Sequence, residues 1–145
     1  MLALPQTAEY ALRAVCFIAE HEGQGPVPLP TVAAALGAPR NYLSKTLYQL
    51  GVLGVLRAER GMRGGYRLGK APERLRLLEI VQPFLPPVEN RCVMGRVRCR
   101  DDAPCGAHVR WKQVRVVLEG FFAGLTMADL LAGRTPGAED SGLRA

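Results

Sequence analysis

The stretch TVAAALGAPRNYLSKTLYQL, residues 31–50, constrains the fold more than any other part of this chain. Thr31 to Leu36 is Ala-rich and reads as a short helix. Gly37 can take the left-handed conformation that stops a helix, and Ala38 completes a turn. Pro39 suits the start of a second helix, where its missing N–H is not needed. That second helix is expected from Arg40 to about Leu50, with Leu43, Leu47 and Leu50 as its buried stripe and Gly51 at its end. Two helices joined by a short Gly-containing turn form a helix-turn-helix, a pattern that many helical hairpins share. The residues that follow narrow it. Val55 to Ala58 reads as a strand, Gly61-Met62-Arg63-Gly64-Gly65 as a turn, and Tyr66 to Leu68 as a second strand. A helix-turn-helix followed by a Gly-rich basic hairpin predicts a mainly α fold with a small β-hairpin, a winged helix-turn-helix.

Charge is distributed in keeping with that reading. The chain of 145 residues carries a net +6. Between Arg40 and Arg76 stand nine Lys/Arg and two acids, a net of +7, against ten basic and eleven acidic side chains elsewhere. A single basic block is either a solvated face or a surface for a polyanion, nucleic acid or membrane. In a helix-turn-helix the second helix enters the major groove of DNA N-terminus first. With Leu43 assigned to the core, Arg40, Asn41, Tyr42, Ser44, Lys45 and Tyr48 are left for solvent or DNA. Arg can pair with guanine and Asn with adenine, while Ser44 and Lys45 could equally meet phosphates. At the wing, Arg60, Arg63 and Arg67 supply charge, and Arg63 could enter a narrow minor groove. Gly64 and Gly65 would permit close approach to a phosphate backbone.

The remaining segments frame this unit. Thr7 to about His21 reads as an amphipathic helix with Thr7 as its cap. Cys16 falls within its apolar pattern as a small core residue. Glu22 to Pro30, with two Gly and three Pro, reads as a loop, and Pro72 to Phe84 is expected to contain a further helix with Leu75, Leu78 and Val81 on one side. No run of about 18 apolar residues is present, so no membrane span is expected. The N-terminal residues have no basic patch before their apolar stretch and include Glu9, unlike a secretory leader, so a cytoplasmic location is expected. Neither a phosphate-binding loop nor a Ser/His/Asp set is apparent, and with two histidines in all an enzyme has little support.

Cys92, Cys99 and Cys105 lie within 14 residues of one another, with His108 three residues further on. In a reducing compartment such a cluster suggests metal or redox chemistry rather than structural disulfides. Three thiolates and an imidazole suit zinc or an iron–sulfur cluster. Close Cys pairs of the zinc-finger kind are missing, and wide spacing on a loop suits more than one iron. Arg91, Arg96, Arg98 and Arg100 would lower the thiol pKa values and offset cluster charge. Free sensor thiols and an incidental disulfide are the alternatives. After the loop, Trp111, Val114, Leu118, Phe121 and Leu125 recur at spacings of 3, 4, 3 and 4. This heptad seam favours packing between two chains over residues 107–125, with intramolecular core as the alternative. A two-fold dimer would match a palindromic operator with half-sites about 34 Å apart. The expected organisation is a DNA-binding unit over residues 1–84, a cysteine loop over 85–106, a dimerisation helix with a short terminal helix over 107–132, and a disordered tail over 133–145.

Together, TAEYALRA, APRNYLSKTLYQLGVLGVL, RGMRGGYRLGK, the three cysteines and MADLLAG resemble the Rrf-two family of winged-helix transcriptional regulators, in its IscR- and NsrR-like branches. The resemblance covers roughly residues 1–132. It implies that Cys92, Cys99, Cys105 and His108 hold a 2Fe-2S cluster, although the first gap is one residue longer than in the IscR-like pattern. A second branch implies a 4Fe-4S cluster completed by an acidic residue from the first helix of the partner chain, a place that Glu9 occupies here. A third branch uses a glutamate and a histidine from the first helix; Arg13 stands where that histidine would be, which argues against it. Some members carry no cluster and sense through thiols or a partner protein.

Overall fold

The computed structural model describes residues 4–85, 92–96 and 99–133. Among the described residues, six helices and one hairpin follow in order: α1 (Gln6–His21), α2 (Leu29–Leu36), α3 (Arg40–Val52), β1 (Leu56–Glu59), β2 (Gly65–Leu68), α4 (Leu77–Val81), α5 (His108–Gly124) and α6 (Met127–Leu131). Single 3-10 turns stand at Glu22–Gln24, Pro72–Arg74 and Gln82–Phe84. The expected winged helix is therefore present, mostly helical with a two-stranded antiparallel sheet.

Apolar spacing explains the packing. Ala11, Ala14, Val15 and Ile18 of α1 meet Leu43, Leu47 and Leu50 of α3 and Val32, Ala33 and Leu36 of α2. Each fully buried Leu or Ile in this set contributes about 1.5–3 kcal/mol relative to exposure. Gly37 takes φ 62°, ψ 29° after α2, and the amides of Gly37 and Ala38 bond back to the last helical carbonyls, as the sequence predicts. Helix α3 starts at Arg40 as expected, but Gly51 does not end it. The helix runs on to Val52, and the chain turns at Gly54 with φ 75°.

Other boundaries move for identifiable reasons. Thr7 does not cap α1: Pro5 precedes the helix, and the Thr7 hydroxyl instead meets the Tyr42 hydroxyl of α3. Helix α2 begins two residues early because Pro28 and Pro30 both fit its first turn. The helix expected within Pro72–Phe84 is present as the short α4, flanked by two 3-10 turns. Between the first of these turns and α4, Leu75 is extended, with its carbonyl accepting from Met127 N at 2.8 Å, while Leu77 N donates to Leu125 O at 3.0 Å. This pairing replaces helical bonds and buries Leu75, Leu77, Ile80 and Val81, whereas Leu78 is only half-buried. The hairpin aligns Leu56 with Leu68 and Glu59 with Gly65. Val27, expected in a loop, pairs with Tyr66 on the free edge of β2 through two 2.9 Å backbone bonds. Residues 134–145, expected to be disordered, lie outside the described residues.

Candidate DNA interface and metal centre

Helix α3 and the wing are joined through a shared frame. Arg40, Asn41 and Lys45 are exposed on the first turns of α3, Ser44 is half-buried, and Tyr48 is exposed on the next turn. Tyr42 is partly turned inward: its ring meets Tyr10 edge-on at 5.8 Å and its hydroxyl meets Thr7. That contact ties the front of α3 to α1. The wing is held from both sides. Glu59 on β1 pairs with Arg67 at 2.9 Å and Arg57 at 3.4 Å, and Arg67 also donates to Glu22 O at 3.2 Å. Arg67 therefore braces the hairpin rather than supplying free charge at its tip. Arg40, Lys45, Arg60 and Arg63 have no ion-pair partner among the described residues, and all four are exposed. An unpaired cation is the group best placed to neutralise a phosphate.

The two wing glycines answer to the chain's own backbone. A Cβ on Gly64 would fall 2.3 Å from Glu59 O, and one on Gly65 would fall 2.5 Å from Val27 C and O. Their close approach is to neighbouring backbone, of β1 for Gly64 and of the bridging Val27 for Gly65, which fixes where the exposed Arg63 and Met62 are carried.

The cysteine loop brings its four candidate ligands together as two pairs. Cys92 Sγ and Cys105 Sγ are 3.8 Å apart, and Cys99 Sγ is 3.1 Å from His108 Nδ1. Cys92 and His108 are buried, while Cys99 and Cys105 are half-buried. His108 opens α5, and its amide donates to Cys105 O at 3.0 Å. The ring's partner is nonetheless Cys99 and not the neighbouring Cys105. Among the described residues, no three His, Cys, Asp or Glu converge on one metal-ion position. Paired donors of this kind suit a two-metal group better than a single zinc. Tetrahedral bonds of about 2.3 Å put two sulfurs about 3.8 Å apart, the separation of the first pair.

Electrostatics favour the thiolate at one position. Backbone N–H groups of Met94 and then Arg96, with the Cys105 thiol and the Arg96 charge, hold the Cys92 thiol below its ordinary pKa against the effect of burial. Arg100 is bound to Asp102, with Nε 2.8 Å from Oδ1, so its charge is neutralised there. Arg91 and Arg98 lie outside the described residues. Asp101, which no motif singles out, joins the site: its Oδ1 accepts from His108 Nε2 at 2.7 Å and from Lys112 Nζ at 2.9 Å. Lys112 first, then His108, lowers its pKa to about 2. Cys16 stands apart: its thiol is raised by burial and then by Glu20, and it packs on the core. Glu9 lies on the exposed side of α1, paired with Arg13 at 3.3 Å.

Helix α5 has two apolar faces. Phe122 and, just beyond the helix, Leu125 pack on the chain's own core. Leu125 thus leaves the expected seam. Val109, Val114, Val116, Val117 and Phe121 remain exposed, and an open groove runs along Val109, Val114, Val117 and Leu118. None of the described helices is long and apolar enough to cross a membrane.

Residues 4–133 match the family Rrf2, described as an iron-dependent transcriptional regulator. A putative HTH-type transcriptional regulator of Aquifex aeolicus is 29% identical over 128 residues, covering 86% of this chain and 88% of that protein. The HTH-type transcriptional regulator IscR of Erwinia tasmaniensis is 28% identical over 130 residues, covering 90% and 79%. In fold, the chain is similar to CymR, the global cysteine regulator of B. subtilis, with a TM-score of 0.78 at 23% identity, covering 93% of this chain and all of that one. It is also similar to T. potens IscR, with a TM-score of 0.73 at 23% identity, covering 94% and 91%.

Proposed function

This chain belongs to the Rrf2 family of transcriptional regulators, and from that premise we propose that it is a cytoplasmic homodimeric DNA-binding regulator, not an enzyme, whose operator affinity is set by an iron–sulfur cluster on Cys92, Cys99, Cys105 and His108. The observation that carries the reading is the pair of donor pairs, Cys92 with Cys105 and Cys99 with His108, at the foot of α5. Two pairs of donors suit the two irons of a 2Fe-2S cluster, with His108 as the fourth ligand. A 4Fe-4S cluster completed by Glu9 of a partner chain is the other assignment. When bound, such a cluster supplies one-electron redox chemistry and a target for oxidants or nitric oxide.

The chain's own residues do the rest. Arg40, Asn41, Tyr42, Ser44, Lys45 and Tyr48 face the major groove, with Tyr42 held by α1. Arg60 and Arg63 meet the flanking backbone or minor groove, on a wing whose position Gly64 and Gly65 fix. The exposed face of α5, with Val117 and Phe121 at its centre, packs against its equivalent on a second copy. Because Cys105 and His108 lead directly into α5, any rearrangement of the loop is transmitted to the dimer helix. The spacing of the two reading helices changes with it, and both must match their half-sites of a palindromic operator together.

The test is a fluorescence-anisotropy titration of apo and cluster-loaded protein against duplexes selected from a random library. A coupling of about 1–3 kcal/mol, roughly 5–150-fold in affinity, is expected between the two forms. Equal affinity would contradict the sensing role, and no salt-dependent binding to any duplex would contradict the DNA-binding role. A thiol switch is the second reading, favoured by the 3.8 Å between Cys92 Sγ and Cys105 Sγ. It predicts that iron-free protein still responds to a mild disulfide-forming oxidant, and that the response vanishes in Cys105→Ser.

A further inference from the structure

The two ring nitrogens of His108 do different work. Nδ1 faces Cys99 Sγ at 3.1 Å, while Nε2 faces Asp101 Oδ1 at 2.7 Å. The ring is buried, with 7% of its side chain exposed, so both nitrogens depend on protein partners and not on water. An ionised carboxylate only accepts hydrogen bonds, so the contact at Nε2 requires the proton to sit there. In the neutral ring, the Nδ1 lone pair is then turned toward Cys99. The acceptor is itself held: Lys112 Nζ lies 2.9 Å from the same Asp101 oxygen, and Lys112 stands one helical turn after His108 on α5. The adjacent Asp102 is occupied by Arg100 and does not compete.

We propose that Asp101, braced by Lys112, is the positioning residue for the His108 ligand: it holds Nε2–H, fixes the ring's rotation, and presents Nδ1 as the metal-binding atom. This rests on the reading of His108 as a ligand. Histidines that bind metals commonly give their second N–H to a carboxylate, which fixes the tautomer and raises the basicity of the ligating nitrogen. Here the same carboxylate joins the cysteine loop to α5.

The experiment compares wild type, Asp101→Asn and Asp101→Ala, all in a His21→Gln background so that His108 is the single histidine. First, nitrogen-15 NMR of the metal-free, reduced protein at mildly alkaline pH reads the tautomer. Wild type is expected as Nε2–H, Asp101→Asn is expected to keep it because the amide carbonyl still accepts, and Asp101→Ala is expected to lose the preference. Second, anaerobic reconstitution with ferrous iron and sulfide reads uptake and potential. Asp101→Ala should hold the cluster about 10–100-fold more weakly. Asp101→Asn should retain the cluster with its midpoint potential shifted upward, since a negative charge near the site is gone. Identical tautomer, uptake and potential across the three proteins would overturn the proposal while leaving His108 as a ligand. If wild type takes up no iron, the ligand reading falls and the proposal falls with it.

Discussion

Replacing Gly65 by Ala adds one methyl group where the backbone of another segment already lies. The new Cβ would be 2.5 Å from Val27 C and O and 2.8 Å from Pro28 N. To reach ordinary van der Waals separation, β2 must withdraw from Val27 by about 1 Å. The two 2.9 Å bonds between Val27 and Tyr66 do not survive that movement. At about 1 kcal/mol each, their loss costs about 2 kcal/mol. For a chain of this size that lowers the melting temperature by roughly 6–10 °C. Gly51→Ala is the control. Gly51 lies within α3, and a Cβ added there would meet nothing within 4 Å. At that position the same methyl should stabilise by about 0.5–1 kcal/mol through the helix preference of Ala. Thermal unfolding followed by circular dichroism reads both variants. A Gly65→Ala protein that melts with wild type, or a Gly51→Ala protein that falls alongside it, would mean that close approach to Val27 does not set the cost.

Three further outcomes are expected. Arg63→Ala, which removes an exposed cation with no ion-pair partner among the described residues, should leave the melting temperature unchanged; it should weaken DNA binding and make the slope of log affinity against log salt shallower by about 0.9. Phe121→Glu places a charge on the exposed apolar face of α5, so sedimentation velocity should find the dimer weakened by about 3 kcal/mol or more, over roughly 100-fold. Glu79 is raised by burial but lowered more by Lys70 and by the Arg76 N–H, with a net depression of its pKa. A depressed carboxylate adds stability above its unfolded pKa and loses it as pH falls through the folded one. Glu79→Ala should therefore cost about 1 kcal/mol in urea unfolding at neutral pH, and the gap from wild type should narrow below about pH 4.

The fold is legible in the sequence where neighbouring residues decide it. Pro39, Gly37 and the leucine stripe of α3 mark the helix-turn-helix, and the cysteine spacing marks the ligand candidates. What escapes the sequence depends on distant partners. Leu75 is extended because Leu125 and Met127 pair with its neighbourhood, some 50 residues away. Val27 resembles loop because a single bridging residue has no periodicity of its own. The α5 pattern is apolar on more than one face, and only packing reveals that Leu125 belongs to the chain's own core while Phe121 does not. Asp101 is hidden because an acid beside Arg100 and Asp102 reads as ordinary surface charge; its role is visible only once His108 Nε2 is seen to meet it.

In the proposed function, the two donor pairs of the cysteine loop hold an iron–sulfur cluster. Purification under strict anaerobiosis, with an absorption spectrum and assays for iron and acid-labile sulfide, decides whether they do. The predicted result is a coloured protein with visible charge-transfer bands and matching iron and sulfide, both lost in Cys92→Ser and in Cys105→Ser. A colourless, iron-free protein, unchanged after reconstitution with ferrous iron and sulfide, would contradict it.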